Sequence, residues 1–203
     1  MTEKANGDKF PLLVYRRWSK MLQLPSLLIV IASALTWWFA PNHPWVAHRS
    51  WGFFVIACVG AVIFLYSLLA RQASYVQCQP NYVRISTPFL PVAVSYKRIV
   101  QVRPVEFHSQ LPLAKMKSTQ RRLLDPFLTH TVIVLELKGF PMSERQLRTW
   151  LPWFMLAKDV TGFVLTVDDW MALSRQISVF SDRWIAHRQE RERRPASLIE
   201  RLR

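Results

Sequence analysis

Six basic side chains set among apolar ones are the residues of this chain best suited to chemistry. Lys97 and Arg98 follow an extended run, and Lys115, Lys117, Arg121 and Arg122 alternate with Leu113, Met116, Leu123, Leu124 and Phe127. A guanidinium offers a planar fork to phosphate and an ammonium offers a compact point charge, so the chemistry is anion recognition, with lipid phosphate as the ligand. A solvated basic face would read the same way. A second group is the uncharged run Trp-Leu-Pro-Trp-Phe-Met-Leu at 150–156, in which Trp150 and Trp153 are either core or contact residues. Ala57 and Ala61, with Gly60 between them, form a small-residue patch spaced for close approach of two helices.

The residue types that catalyse lack the neighbours that would activate them. Only five glycines are present and none forms a phosphate-cradling loop; no Ser sits in a nucleophile elbow, and no Cys or His pair has metal spacing. Cys58 and Cys78 fall in different surroundings, so no disulfide follows. The histidines at 43, 48, 108, 130 and 187 all lie outside the long apolar runs, so none is placed to ligate a haem or pigment inside a bilayer. Asp168-Asp169 reads as the start of a helix. The expectation is a non-enzyme with no catalytic, metal or cofactor residues and no cofactor.

These candidates are positioned by two kinds of element. Residues 21–40 and 51–70 contain no formal charge, and each is long enough to cross roughly 30 Å of hydrocarbon as a helix. Five basic residues precede the first stretch, Arg49 alone lies between the two, and twenty-one follow the second. The positive-inside tendency then places both termini in the cytoplasm, with 41–50 as a tight external turn. Trp37, Trp38, Trp45 and Trp51 gather at one interface, Tyr15, Trp18, Tyr66 and Tyr75 near the other. The same sorting explains the formal charge of +14 in the 203-residue chain without nucleic acid, since Glu190, Glu192 and Glu200 dilute the Arg-rich tail. With no ionisable group inside either span, an ion or proton path is excluded.

After Arg71 the period shortens. Runs at 75–79, 82–86 and 92–96, parted by Pro80-Asn81 and by Pro88-Phe89-Leu90-Pro91, read as an antiparallel meander. A run at 99–107 interrupted by Pro104 suits an edge or bulged strand. Residues 131–137 are the strongest strand candidate, and 153–157 and 163–167 are the remaining ones. Thr166 or Asp168 is the expected cap of a helix whose Trp170, Leu173, Ile177, Phe180 and Trp184 share one face. Ser143 and Gln146 have capping-box spacing before a short helix at 144–149. The division is an N-terminal segment at 1–20, a hairpin at 21–70, a cytoplasmic domain at 71–188 and a solvated charged tail at 189–203.

Tyr82-Val83-Arg84-Ile85, Thr87-Pro88-Phe89 and Val94-Ser95-Tyr96-Lys97-Arg98-Ile99-Val100-Gln101-Val102 resemble the membrane-anchored bacterial pleckstrin-homology-like family, with Val-Ser where the family has Ile-Pro. Phe163-Val-Leu-Thr-Val-Asp-Asp-Trp170 is similar to its last strand entering its helix. The resemblance spans about 75–184; the long segment at 107–131 and the stretch at 140–152 depart from it. It implies an α+β membrane protein: a two-helix transmembrane hairpin bearing a cytoplasmic antiparallel β-barrel or sandwich capped by a C-terminal amphipathic helix. It further implies a binding scaffold without catalytic residues. The expected role is an accessory subunit in the cytoplasmic membrane, touching membrane lipids and other subunits, with self-association compatible with the same surfaces. The alternative is a sensor of anionic headgroups working through the basic loop.

Overall fold

A computed structural model describes residues 6–39, 50–112, 116 and 118–201. The chain divides into two compact units, Leu13–Ser74 and the combination of Met1–Leu12 with Tyr75–Arg203. It is α+β, with two long apolar helices in the first unit and two antiparallel sheets in the second.

In the first unit α1 (Leu13–Phe39) and α2 (Ser50–Ala73) are both long and apolar enough to cross a membrane. Their packing is inverted relative to a water-soluble hairpin. On α1 the residues turned inward are Ser19, Gln23, Ser26, Val30 and Ser33, at alternating four- and three-residue steps; on α2 they are Phe53, Ala57, Gly60, Phe64 and Ser67. That spacing is a coiled-coil seam, here rich in small and hydroxylic groups, with Phe53 and Phe64 as its bulky members. The serines satisfy their own hydroxyls, Ser19 donating to the Arg16 carbonyl at 2.9 Å, Ser26 to Leu22 at 2.7 Å and Ser67 to Phe64 at 2.7 Å. Leu24, Leu28, Trp38, Val62 and Leu69 face outward and are exposed. The helix α1 starts eight residues before the uncharged stretch, because Val14, Tyr15 and Trp18 extend the helical pattern through the basic Arg16, Arg17 and Lys20. The connection at 41–49 lies outside the described residues.

The second unit opens with a strand the sequence reading did not find. β1 (Lys9–Pro11) pairs antiparallel with β2 (Tyr75–Cys78), which continues into β3 (Tyr82–Ser86) and β4 (Val92–Ser95), giving a four-stranded sheet in that order. Just before β1, the Gly7 N–H donates to the Cys78 carbonyl at 2.8 Å and Gln77 Nε2 donates to the Gly7 carbonyl at 2.9 Å. A Cβ on Gly7 would sit 2.7 Å from Gln176 Oε1 and 3.1 Å from Cys78 Cβ, so a larger residue there would make the Gln176 side chain swing aside.

The second sheet is β5 (Ile99–Glu106), β6 (Thr131–Leu137) and β7 (Gly162–Leu165), with β6 central. Its Val132 to Leu135 are all buried, as expected of a strand covered on both faces. Pro104 stands on the edge strand, where a missing N–H breaks no ladder bond, and the register shifts between Ile99 and Gln101. The sheets do not close into a barrel. Among the described residues the four-stranded and three-stranded sheets meet at an isolated Leu12–Val167 bridge without merging into one closed sheet, which corrects the barrel alternative of the barrel-or-sandwich expectation.

Four local expectations also change. Residues 153–157 are not a strand. Trp153–Met155 is a 3-10 turn closed by Met155 N–H to the Pro152 carbonyl, and only Leu156 bridges to Phe163. The reason is burial: consecutive Phe154 and Met155 are both inside, whereas a strand would turn one of them out. Where Thr166 or Asp168 was expected to cap the closing helix α5 (Trp170–Arg201), Asp169 makes the cap bond, its Oδ1 accepting the Ala172 N–H at 2.9 Å. It also runs on through Pro195 to Arg201, where Pro195 was expected to interrupt the charged run. Its anticipated apolar face holds, with Leu173, Ile177 and Phe180 buried. The short helix α4 (Glu144–Trp150) forms, but Ser143 makes no side-chain cap bond, so the capping box is absent.

Candidate functional site

The six basic residues do not share one origin in the fold. Lys97 and Arg98 end the 3-10 turn Tyr96–Arg98 that precedes β5, whereas Arg121 and Arg122 lie in the last turn of α3 (Ser118–Leu124), which belongs to the connection from β5 to β6. The ladder pairs Ile99 with Leu137 at one end and Glu106 with Thr131 at the other. The two groups are therefore rooted at opposite ends of an eight-residue strand, roughly 24 Å long at the usual rise. Arg98 is also engaged, its Nη1 donating to the Phe140 carbonyl at 2.6 Å and tying the turn after β6. Lys97, Arg121 and Arg122 are exposed. Lys115 and Lys117 lie outside the described residues.

The uncharged run at 150–156 divides between core and surface. Leu151, Phe154 and Met155 are buried, with the Phe154 ring 6.4 Å from that of the fully buried Phe107 at 84°. Trp150 and Trp153 remain 49% and 40% exposed. Trp150 meets an aromatic partner that the reading of the sequence did not single out as a site. Phe89, 56% exposed, places its ring centroid 6.3 Å from that of Trp150. Phe89 stands on the turn from β3 to β4, which is braced by Thr87: its Oγ1 donates to the Leu90 carbonyl at 2.7 Å and accepts the Leu90 N–H at 3.2 Å. Prolines at 88 and 91 stiffen the same turn. The available signal was a large aromatic at the tip of a Pro-bracketed turn, a place where polar residues are the rule.

In the helical unit Gly60 is the point of closest approach. A Cβ there would lie 3.0 Å from Val30 Cγ2 and 3.2 Å from Ile29 Cγ2. Ala57 and Ala61 are half-buried beside it.

The buried titratable groups are poor reagents. Burial pushes the Cys78 thiol up to about 12, against a smaller lowering by a hydrogen bond with Tyr96. Burial, and then the neighbouring Cys78, raise the Tyr96 phenol in turn; its hydroxyl donates to the Gln79 carbonyl at 2.8 Å. Both stay protonated at neutral pH, so neither is a nucleophile there. Among the described residues no cluster of His, Cys, Asp and Glu could hold a metal ion. Comparison with protein-family models, curated proteins and solved structures gave no match.

Proposed function

We propose that this chain is a non-enzymatic, membrane-anchored interaction module, an accessory subunit of a larger assembly in the cytoplasmic membrane. The observation that carries the reading is the inverted hairpin. Four serines, Gln23, Gly60 and Ala57 make up most of the seam, with Val30, Phe53 and Phe64, while Leu24, Leu28, Trp38, Val62 and Leu69 face outward, a surface that hydrocarbon or other apolar helices must cover. A four-stranded sheet, a three-stranded sheet and a closing amphipathic helix in chain order support a pleckstrin-homology-like scaffold. The pairing of Lys9–Pro11 with Tyr75–Cys78 supports an even number of crossings between them, and hence both flanks of the hairpin on one side of the bilayer, which the basic-residue bias makes the cytoplasmic side. Exposed Phe89, Trp150 and Trp153 supply contact surface of the kind enriched at interfaces.

Extraction in mild detergent followed by sizing tests the proposal. The expected result is elution with other membrane chains at a mass well above 23.8 kDa plus the micelle. A lone monomer overturns it. Exposure of Arg121 and Arg122 favours a second reading, in which α3 and its preceding loop sense anionic headgroups. Charge reversal at Lys115, Lys117, Arg121 and Arg122 separates the two. A headgroup sensor loses salt-sensitive vesicle binding, while a packed subunit keeps its partners.

A further inference from the structure

The aromatic pair on the sheet-bearing unit has a defined place relative to the points where the chain leaves and re-enters that unit. Pro11 pairs with Tyr75 and Tyr75 with Ser86, so the ends of β1, β2 and β3 lie in one row across the sheet. From that row the chain departs into α1 at Leu13, returns from α2 at Ala73, and turns through residues 87–91 into β4. Adjacent strands are about 4.8 Å apart, which sets the Phe89 turn within roughly 10 Å, laterally, of the re-entry point. Arg71, the first charged residue after the uncharged stretch of α2, precedes Tyr75 by four residues, or about 6 Å at helical rise. The opposite end of the sheet, with Asn81 in its turn, points away from these passages.

We infer that Phe89 and Trp150 form a lipid-interface wedge, seated in the headgroup layer of the bilayer that the hairpin crosses. The inference rests on the membrane reading above. Its occupant is lipid because the chain itself tethers this sheet end beside the bilayer, and because rings with an apolar body prefer that boundary, Trp150 keeping its indole N–H for headgroup or water. The Thr87 hydrogen bonds and two prolines hold the turn in shape, so ordering it on contact costs little conformational entropy.

The test uses the full chain with Cys58→Ser, reconstituted in vesicles of phosphatidylcholine and phosphatidylglycerol; Cys78 is buried and does not compete for label. A nitroxide is placed in turn at Phe89→Cys, at Asn81→Cys and at Val62→Cys, and collisions with oxygen and with a water-soluble nickel chelate are compared. The wedge predicts that position 89 gains oxygen collisions and loses nickel collisions several-fold relative to position 81. Nickel access at 89 equal to that at 81 overturns it, and so does shielding of 89 from both reagents, which marks a protein partner on the patch. Position 62, exposed on α2, must read as deep hydrocarbon. If 62 is water-accessible the membrane reading itself fails and the wedge with it, whereas a deep 62 beside an aqueous 89 removes the wedge alone. Pro91→Cys, on the same turn, carries the same expectation and stands in should Phe89→Cys not fold.

Discussion

Single residues control this molecule mainly where backbones come close. Gly60 faces Val30 Cγ2 and Ile29 Cγ2 at distances an added methyl would already crowd, so Gly60→Val must part α1 from α2. The expected loss is about 1–3 kcal/mol of hairpin stability, read by unfolding in detergent, while the outward Val62→Leu changes nothing measurable. Gly162 is stricter, because a Cβ would stand against the Leu135 carbonyl oxygen itself and β7 would lose its place beside β6. The Cys78 and Tyr96 pair gives the pH behaviour. Their acid groups ionise later in the folded than in the unfolded chain, so between the ordinary thiol value near 9.0 and about 12 the folded state holds more protons. Stability is therefore complete below pH 9 and falls as pH rises toward 12. The expected observation is a thermal midpoint that drops steadily above pH 9, and a maleimide that spares Cys78 at pH 8 until the protein is unfolded.

Elements show how far local pattern reaches. The meander, the strong strand at 131–137, the edge character forced by Pro104 and the apolar face of α5 follow from period-2 and period-3.6 spacing, and each was legible. What was not legible depended on distant partners. Residues 9–11 carry no strand pattern of their own and become β1 because β2, some 65 residues later, offers an unpaired edge. The run at 153–157 has strand-like composition yet curls so that adjacent Phe154 and Met155 both reach the core. The basic groups looked like one cluster along the sequence, but the β5–β6 register roots them apart, and no local rule reveals a register. Phe89 drew notice as part of a turn, and its partnership with Trp150 needed α4 to be placed. At the head of α5 the cap bond belongs to Asp169. Asp169→Ala removes the bond to the Ala172 N–H and is expected to cost about 1 kcal/mol, as thermal unfolding of the variant will show.

At the scale of the whole molecule, under the membrane topology proposed above, the sheet and the charges make the same demand by different means. Orientation is set chiefly by basic residues close to the ends of the spans, here Arg16, Arg17 and Lys20 on one flank, Arg71 and Arg84 on the other, and Arg49 between. The sheet adds a second constraint, since Lys9–Pro11 can pair with Tyr75–Cys78 only if both segments lie on one side of the bilayer. Neutralising one flank separates these causes. In Arg16→Gln, Arg17→Gln, Lys20→Gln the first span loses its own sorting signal, yet Arg71 and Arg84 still hold the second, and β1 reaches its partner only from the inside. The expected outcome is that reporters fused at both termini stay cytoplasmic, with the β1 pairing now supplying what the three charges did. Adding a proline at position 10, where Phe10 aligns with Val76, should then weaken that hold and let part of the population export its N-terminus. Export by the triple-glutamine chain without the added proline would mean that charge alone orients the first span and that the sheet forms only after insertion is complete.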